Sequence, residues 1–121
     1  MTKPITAVAA MQLYERGLLQ LKDPISNWIP AFANSRVFVG GDASNPETRE
    51  AEREITVHDL LTHTSGLTYH FHMAHAVDEM YRNAGFNWTT SPGDLEAQCQ
   101  VLGSLPLLFD PGTEWKYSYS T

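Results

Sequence analysis

Between Lys3 and Glu15 the chain carries no charge, and no other stretch limits the fold so tightly. Pro4 suits the first turn of a helix, where its missing N–H is not needed. Ile5, Val8, Ala9, Met11 and Leu13 supply a broad apolar face, and Gly17 is a natural stop. A helix with so little charge is expected to be buried, so other elements must cover it. Its start is abrupt. Lys3 in the first turn opposes the helix macrodipole, where an acid would be favoured, and no capping residue stands ahead of Met1. The sequence therefore reads as one that begins inside a longer chain.

Turn residues divide the rest of the chain into short pieces. Asp23-Pro24 reads as a cap and first helical residue, with Ile25, Trp28 and Ile29 on one face and Pro30 as the limit. Arg36 to Val39 predicts a short strand, followed by turn signals at Gly40-Gly41-Asp42 and Asn45-Pro46. The charge run Glu47 to Glu54 reads as a solvated loop or a frayed helix. Thr56-Val57-His58-Asp59 has the form of a capping box, opening a helix through Leu61 that Gly66 can end in a left-handed conformation. A further helix is expected over 74–83, with Ala74, Val77, Met80 and Tyr81 on one side. Another should start at Ser91-Pro92-Gly93-Asp94 and stop at Gly103, placing Leu95, Cys99 and Leu102 at helical spacing. Asp110-Pro111-Gly112-Thr113 matches a type II turn. Trp115, Tyr117 and Tyr119 then alternate as in a strand.

Net charge is -6, which argues against a nucleic-acid binder that relies on phosphate contacts. No apolar run is long enough to span a bilayer. The lone Cys99 rules out an internal disulfide framework. Apolar content of 42% makes whole-chain disorder a poor description.

Four segments, in order, carry a resemblance. Met1-Thr2-Lys3-Pro4-Ile5-Thr6 resembles the residues just after the nucleophile in serine β-lactamase-related proteins. That group includes class C β-lactamases, penicillin-binding DD-peptidases and family VIII carboxylesterases. Gly17 to Phe32, through Asp23-Pro24-Ile25 and Ile29-Pro30-Ala31-Phe32, is similar to the group's Gly-x-Leu-x-Leu-x-Asp-Pro-Val … Leu-Pro-x-Phe segment. Ile55 to Leu67 is similar to Ile-Thr-x-x-x-Leu-Leu-Thr-His-Thr-Ser-Gly-Leu, and Leu60 to Leu67 is specific by itself. Pro111 to Ser118 resembles the Pro-Gly-x-x-x-x-Tyr-Ser approach to the second catalytic motif.

The resemblance implies a helix-rich fragment of the α/β β-lactamase/transpeptidase-like fold, with most of the central antiparallel sheet missing. Residues 1–121 would form a single partial domain between the Ser-x-x-Lys and Tyr motifs. The nucleophilic serine would stand immediately before Met1. Lys3 and Tyr117 take the catalytic roles. Lysine three positions after a serine on a helix faces the same way. If burial keeps that amine neutral, it can take the serine's proton, and a nearby tyrosine can share the work. The reaction implied is acyl transfer from a small-molecule ester or amide through an acyl-enzyme, with an oxyanion hole of backbone N–H groups and no metal or other cofactor. Class C β-lactamases follow the tyrosine with x-Asn. This chain has Tyr117-Ser118-Tyr119, which tilts the reading toward a β-lactamase-like carboxylesterase. Without its serine, the fragment is expected to be inactive.

Two other readings stay open. His58, His63, His70, His72 and His75 crowd one stretch, and imidazole suits zinc, although the spacing matches no common zinc motif. A non-catalytic interaction domain could instead present Trp88, Trp115 and Tyr81. Ser65 lacks the strand–Gly-x-Ser-x-Gly–helix context of a nucleophile and reads as a turn residue bonding to nearby backbone.

Overall fold

In the computed structural model, which describes residues 1–121, α1 spans Lys3–Glu15 and ends at Arg16, with Gly17 beyond it at φ 72°. The N–H groups of Gly17 and Leu18 return to the carbonyls of Tyr14 and Leu13, closing the helix end. α1 contributes no buried residue, contrary to expectation. Ile5 is 73% exposed and Val8 59%. Lys3, Ala7, Ala10 and Met11 are the half-buried positions, and their spacing marks them as one helical face. A helix whose only charges, Lys3 and Glu15, stand at its two ends gives no contrast to say which side packs, and here the side bearing Ala7 and Ala10 is the covered one.

Asp23 does not cap a helix. Its carboxylate accepts the Gln20 N–H at 2.8 Å, and only a single 3₁₀ turn, Ile25–Asn27, follows Pro24. The backbone is committed elsewhere. Ile25 N–H donates to Ile55 O, Val57 N–H donates to Asp23 O, and Pro24 bridges Thr56. Pairing with the 55–57 segment outweighs the local helix signal. A second 3₁₀ turn, Pro30–Phe32, packs against α4 (Leu95–Ser104).

The strand at Arg36 runs through Gly41 as β1. It pairs antiparallel with β2 (Pro46–Glu50), so the charge run is half strand rather than loop. Arg36 lies across from Glu50 and Phe38 across from Thr48, with a bulge between Phe38 and Gly40. Arg36 also reaches over to Thr48 through its side chain, at 2.8 Å to the hydroxyl. On its other edge β1 takes a parallel bridge from Val37 to Leu107.

α2 (Val57–Thr62) opens on the expected box. Thr56 Oγ1 accepts the Asp59 N–H, and Asp59 accepts the Thr56 N–H at 2.9 Å. It ends at His63, φ 58°, three residues before Gly66. Gly66 serves a different need. A Cβ there would sit 2.5 Å from the Phe109 carbonyl oxygen, so glycine lets the 105–110 segment lie against this turn. α3 (Ala76–Asn83) is capped by His75, whose Nδ1 accepts the Val77 N–H. α4 is capped by Asp94 and continues through Gly103. Gly103 is there for closeness, since a Cβ would lie 2.6 Å from that of Ala31. Trp115 to Tyr119 forms no strand.

Two apolar clusters hold these pieces. Ile25, Phe32, Val37, Ile55, Val57, Leu67 and Leu107 form the first, drawn from both 3₁₀ turns, β1, α2 and the segments around residues 55, 67 and 107. Val77, Tyr81 and Phe86 form the second, with Tyr119 packed on it. Each fully buried aliphatic side chain contributes on the order of 2 kcal/mol. Tyr81, on the same side of its helix as Val77, is wholly buried, which removes it from the surface aromatics that an interaction domain would present, and its hydroxyl accepts the Thr68 N–H. Trp88 and Trp115 are exposed. No helix is long and apolar enough to cross a membrane.

Candidate active site

Tyr117 is placed by a turn and two braces. The Asp110–Thr113 turn closes through the Thr113 N–H to the Asp110 carbonyl, with Gly112 at φ 84°. The Asp110 carboxylate is paired with Arg49 and accepts the Glu52 N–H at 2.8 Å. Arg49's hydrogen bonds, and the Glu52 N–H, hold that carboxyl below its ordinary range despite some burial. Beyond the turn, the chain is laid along residues 63–68. Gly112 N–H donates to Thr64 O, Lys116 N–H to His63 O and Tyr119 N–H to Thr68 O. These bonds turn Ser118 inward, wholly buried, and leave Tyr117 44% exposed on the other side.

Lys3 comes from the far end of the chain to the same place. Its Nζ stands 5.4 Å from the ring centroid of Tyr117 and 5.4 Å from that of Tyr69. The two rings are 5.3 Å apart. No carboxylate pairs with the ammonium, because the ion pairs in the molecule are Arg49–Asp110 and Arg53–Asp59. Partial burial lowers the Lys3 pKa, and Tyr117 opposes that shift. Its place in the first turn of α1 also disfavours the charged form. The amine is therefore easier to deprotonate than a surface lysine.

Aromatic rings surround the pair. Tyr69 stacks on Phe71 at 4.5 Å, and Phe71 on Trp88 at 4.8 Å. His72 Nε2 lies 2.9 Å from the Tyr117 carbonyl oxygen and so donates to it. Burial raises the Tyr69 pKa, with a hydrogen bond to Tyr117 opposing. Burial pushes Tyr119 up to about 12, and its hydroxyl bonds to His70 Nδ1. His63 faces the site too, its ring 5.0 Å from that of Tyr117. Burial and the charge of Lys3 both lower the His63 pKa.

Reading the sequence did not single out Tyr69 or His63 for this site. Tyr69 follows the Leu60–Leu67 signature by two residues, and that adjacency was the available signal. The histidines do not gather as a zinc ligand set, since no three His, Cys, Asp or Glu side chains come together. His75 caps α3, His70 meets Tyr119 and His72 meets the Tyr117 backbone. Ser65 is wholly buried and its hydroxyl accepts the Leu67 N–H, as a turn residue would.

Comparison with known proteins gives one family. The Beta-lactamase family matches over residues 1–121. Protein Rv1367c of Mycobacterium tuberculosis is 39% identical over 99% of this chain and 29% of its own length. Esterase EstB of Burkholderia gladioli is 36% identical over 97% of this chain and 27% of its own length. Among solved structures, simvastatin synthase (LovD) from Aspergillus terreus superimposes with a TM-score of 0.71 at 31% identity, covering 98% of this chain and 28% of that one. EstCE1, a hydrolase with promiscuous acyltransferase activity, gives a TM-score of 0.75 at 30% identity, again over 98% of this chain and 28% of that one. The chain thus spans less than a third of the length of the relatives it matches. Matched along its whole length, it belongs to the β-lactamase family and has the β-lactamase/transpeptidase-like fold over the portion it spans.

Proposed function

We propose that this chain carries the proton-transfer pair of an acyl-transferring serine hydrolase, a β-lactamase-like carboxylesterase, with Lys3 and Tyr117 as its catalytic amine and phenol. In this reading residues 1–121 are one partial domain, and the remaining strands of the central sheet lie outside it. The nucleophile is a serine directly before Met1 in a longer chain. Helical i, i+3 spacing sets its hydroxyl beside the Lys3 amine. Neutral Lys3 takes the hydroxyl proton as the serine oxygen attacks the ester carbonyl, and the Lys3–Tyr117 pair returns that proton to the departing alcohol. Water, or a second alcohol, then releases the acyl group. Substrates are small-molecule esters, and a net charge of -6 gives no support to nucleic acid as a partner.

The observation that carries this reading is the position of Lys3 Nζ, 5.4 Å from the Tyr117 ring and without a carboxylate partner. The named activities of the relatives support it, since EstB is an esterase and EstCE1 both hydrolyses and transfers. The test is hydrolysis of a short-chain p-nitrophenyl ester by the intact protein. Lys3→Ala and Tyr117→Phe should each lower kcat/KM by about 10²–10⁴-fold. Residues 1–121 alone should give no rate above background. Full activity in either variant, or turnover by the 121-residue chain, overturns the assignment. Adding a short alcohol and measuring the transesterified product tells whether water is the preferred acceptor.

A further inference from the structure

The residue that bears the phenol makes no backbone-to-backbone hydrogen bond of its own. On one side of it Lys116 N–H donates to the His63 carbonyl, and on the other Tyr119 N–H donates to that of Thr68. Neither the N–H nor the carbonyl of Tyr117 joins this ladder. The carbonyl is taken instead by a side chain, His72, whose Nε2 lies 2.9 Å away. A carbonyl only accepts, so Nε2 carries a proton there, in the neutral ring as in the charged one.

His72 is itself held from both directions along the chain. Its ring lies 5.7 Å from that of Tyr69 and 5.0 Å from that of Phe71. The carbonyl of His70, two residues earlier, accepts Arg82 Nη1 at 2.6 Å. Two and three residues later, the N–H groups of Ala74 and His75 both donate to Asp78 Oδ2, at 3.1 and 3.0 Å, and Asp78 is wholly buried. Between these anchors Met73 adopts φ 53°, a left-handed conformation uncommon for any residue but glycine. The Met73 side chain is 75% exposed, so its own packing does not hold the turn. Such a residue persists where its surroundings over-determine it. The surroundings here are the Asp78 anchor on one side and the bond from His72 to Tyr117 on the other.

We propose that His72 is a positioning residue for the candidate phenol, and that by holding the Tyr117 carbonyl it keeps the Tyr117 ring against Lys3. The role rests on the acyl-transfer reading above. Tyr69 and Tyr117 are the two rings that flank the Lys3 amine, each 5.4 Å from Nζ. The imidazole packs beside the first and bonds to the backbone of the second, so one side chain sets the spacing of both. The bonds of Lys116 and Tyr119 fix the chain before and after Tyr117, while the peptide plane between them depends on His72. What the site requires of His72 is a hydrogen-bond donor, not an acid or a base.

Two replacements in the intact protein separate the donor from the ring. His72→Phe keeps an aromatic ring beside Tyr69 and Phe71 and loses the donor. His72→Gln loses the ring and offers an amide N–H in place of Nε2. With a short-chain p-nitrophenyl ester, His72→Phe should lose about five- to tenfold in kcat, the size of one hydrogen bond, with KM unchanged. His72→Gln should keep most of the wild-type kcat. A full rate in His72→Phe, an equal loss in both variants, or a loss carried by KM overturns the proposal. Nitrogen-15 spectroscopy of the wild type decides it if His72→Phe does not fold. The expected His72 signal is an Nε2 proton slowed in its exchange with water, and a neutral ring protonated on Nδ1 overturns the proposal. A wild type that turns over no ester defeats the acyl-transfer reading and the positioning role with it, while a slowed Nε2 proton would show that the clamp itself stands.

Discussion

Replacing Arg53 with methionine isolates the brace beneath the candidate site. Arg53 closes on Asp59 through two bonds, Nη1 to Oδ2 at 2.6 Å and Nη2 to Oδ1 at 3.0 Å. Its guanidinium also lies against Gly112, where a Cβ would meet Nη2 at 2.2 Å. One side chain therefore joins the start of α2 to the turn that leads to Tyr117. Asp59 is 2% exposed, so removing the cation leaves a buried carboxylate. Three bonds would remain to it, from Thr56 N–H, Thr56 Oγ1 and Thr64 Oγ1. Breaking a fully buried pair costs about 3–5 kcal/mol. Here the Arg53 side chain is 45% exposed, so water screens part of the interaction and about 2 kcal/mol is expected. Urea denaturation of the intact protein measures the loss. Its pH dependence supplies the control. Burial pushes the Asp59 carboxyl up, but the bonds from Arg53 and Thr56 and the charge of Arg53 outweigh it, so the group titrates below its ordinary value. A depressed carboxyl contributes stability above its unfolded pKa and loses it as pH falls through the folded one. The gap between wild type and Arg53→Met should thus be full at pH 7 and close below about pH 4. A gap under about 0.5 kcal/mol at pH 7, or one that persists in acid, would refute the argument.

The Lys3 amine should set the alkaline rise of activity. In the proposed role the neutral amine is the working form, so kcat/KM should climb with pH through a midpoint below the ordinary lysine value of 10.5, and a midpoint at or above that value counts against Lys3 as the base. Gly66→Ala should destabilise by about 3 kcal/mol in the same urea assay, from positive-φ strain at 92° and a Cβ 2.5 Å from the Phe109 oxygen, and a loss under about 1 kcal/mol would mean the 105–110 segment shifts freely.

Local signals in the sequence held wherever both partners of an interaction are near neighbours. The Thr56–Asp59 box is one such case, since each half sits three residues from the other. The Asp110–Thr113 turn is another. The signals failed where a distant segment competes for the same groups. Asp23-Pro24 carries a sound helix start, yet its backbone is paired with Ile55 to Val57. Glu47 to Glu50 looks like a solvated charge run, but β1 lies beside it and Arg49 reaches Asp110. α1 misled for a different reason. Its apolar residues are spread around the helix and its charges lie only at the ends, so periodicity could not say that Lys3, Ala7, Ala10 and Met11 face inward. Lys3 and Tyr117 were nameable only through the order of motifs along the chain, because nothing local distinguishes either from a surface lysine or a packing tyrosine. Tyr69 and His63 depend on which rings stand against Lys3, and no spacing rule reports that.

The Leu60–Leu67 signature presents a histidine, three hydroxyls and a glycine, a set that invites a reactive reading. The contacts argue for a scaffold. Ser65 is spent on the Leu67 N–H and on Ser120, and Thr64 on Thr62 and Asp59. The Gly66 carbonyl receives the Leu108 N–H, and the carbonyls of His63, Thr64 and Thr68 receive the segment that bears Tyr117. Every one of these bonds orders the backbone that holds the phenol, and none offers a free nucleophile. Substitutions in this stretch should therefore act by moving Tyr117 relative to Lys3. A displacement of about 1 Å at a reacting group costs on the order of 10²-fold in rate, so the signature can govern activity without touching the substrate.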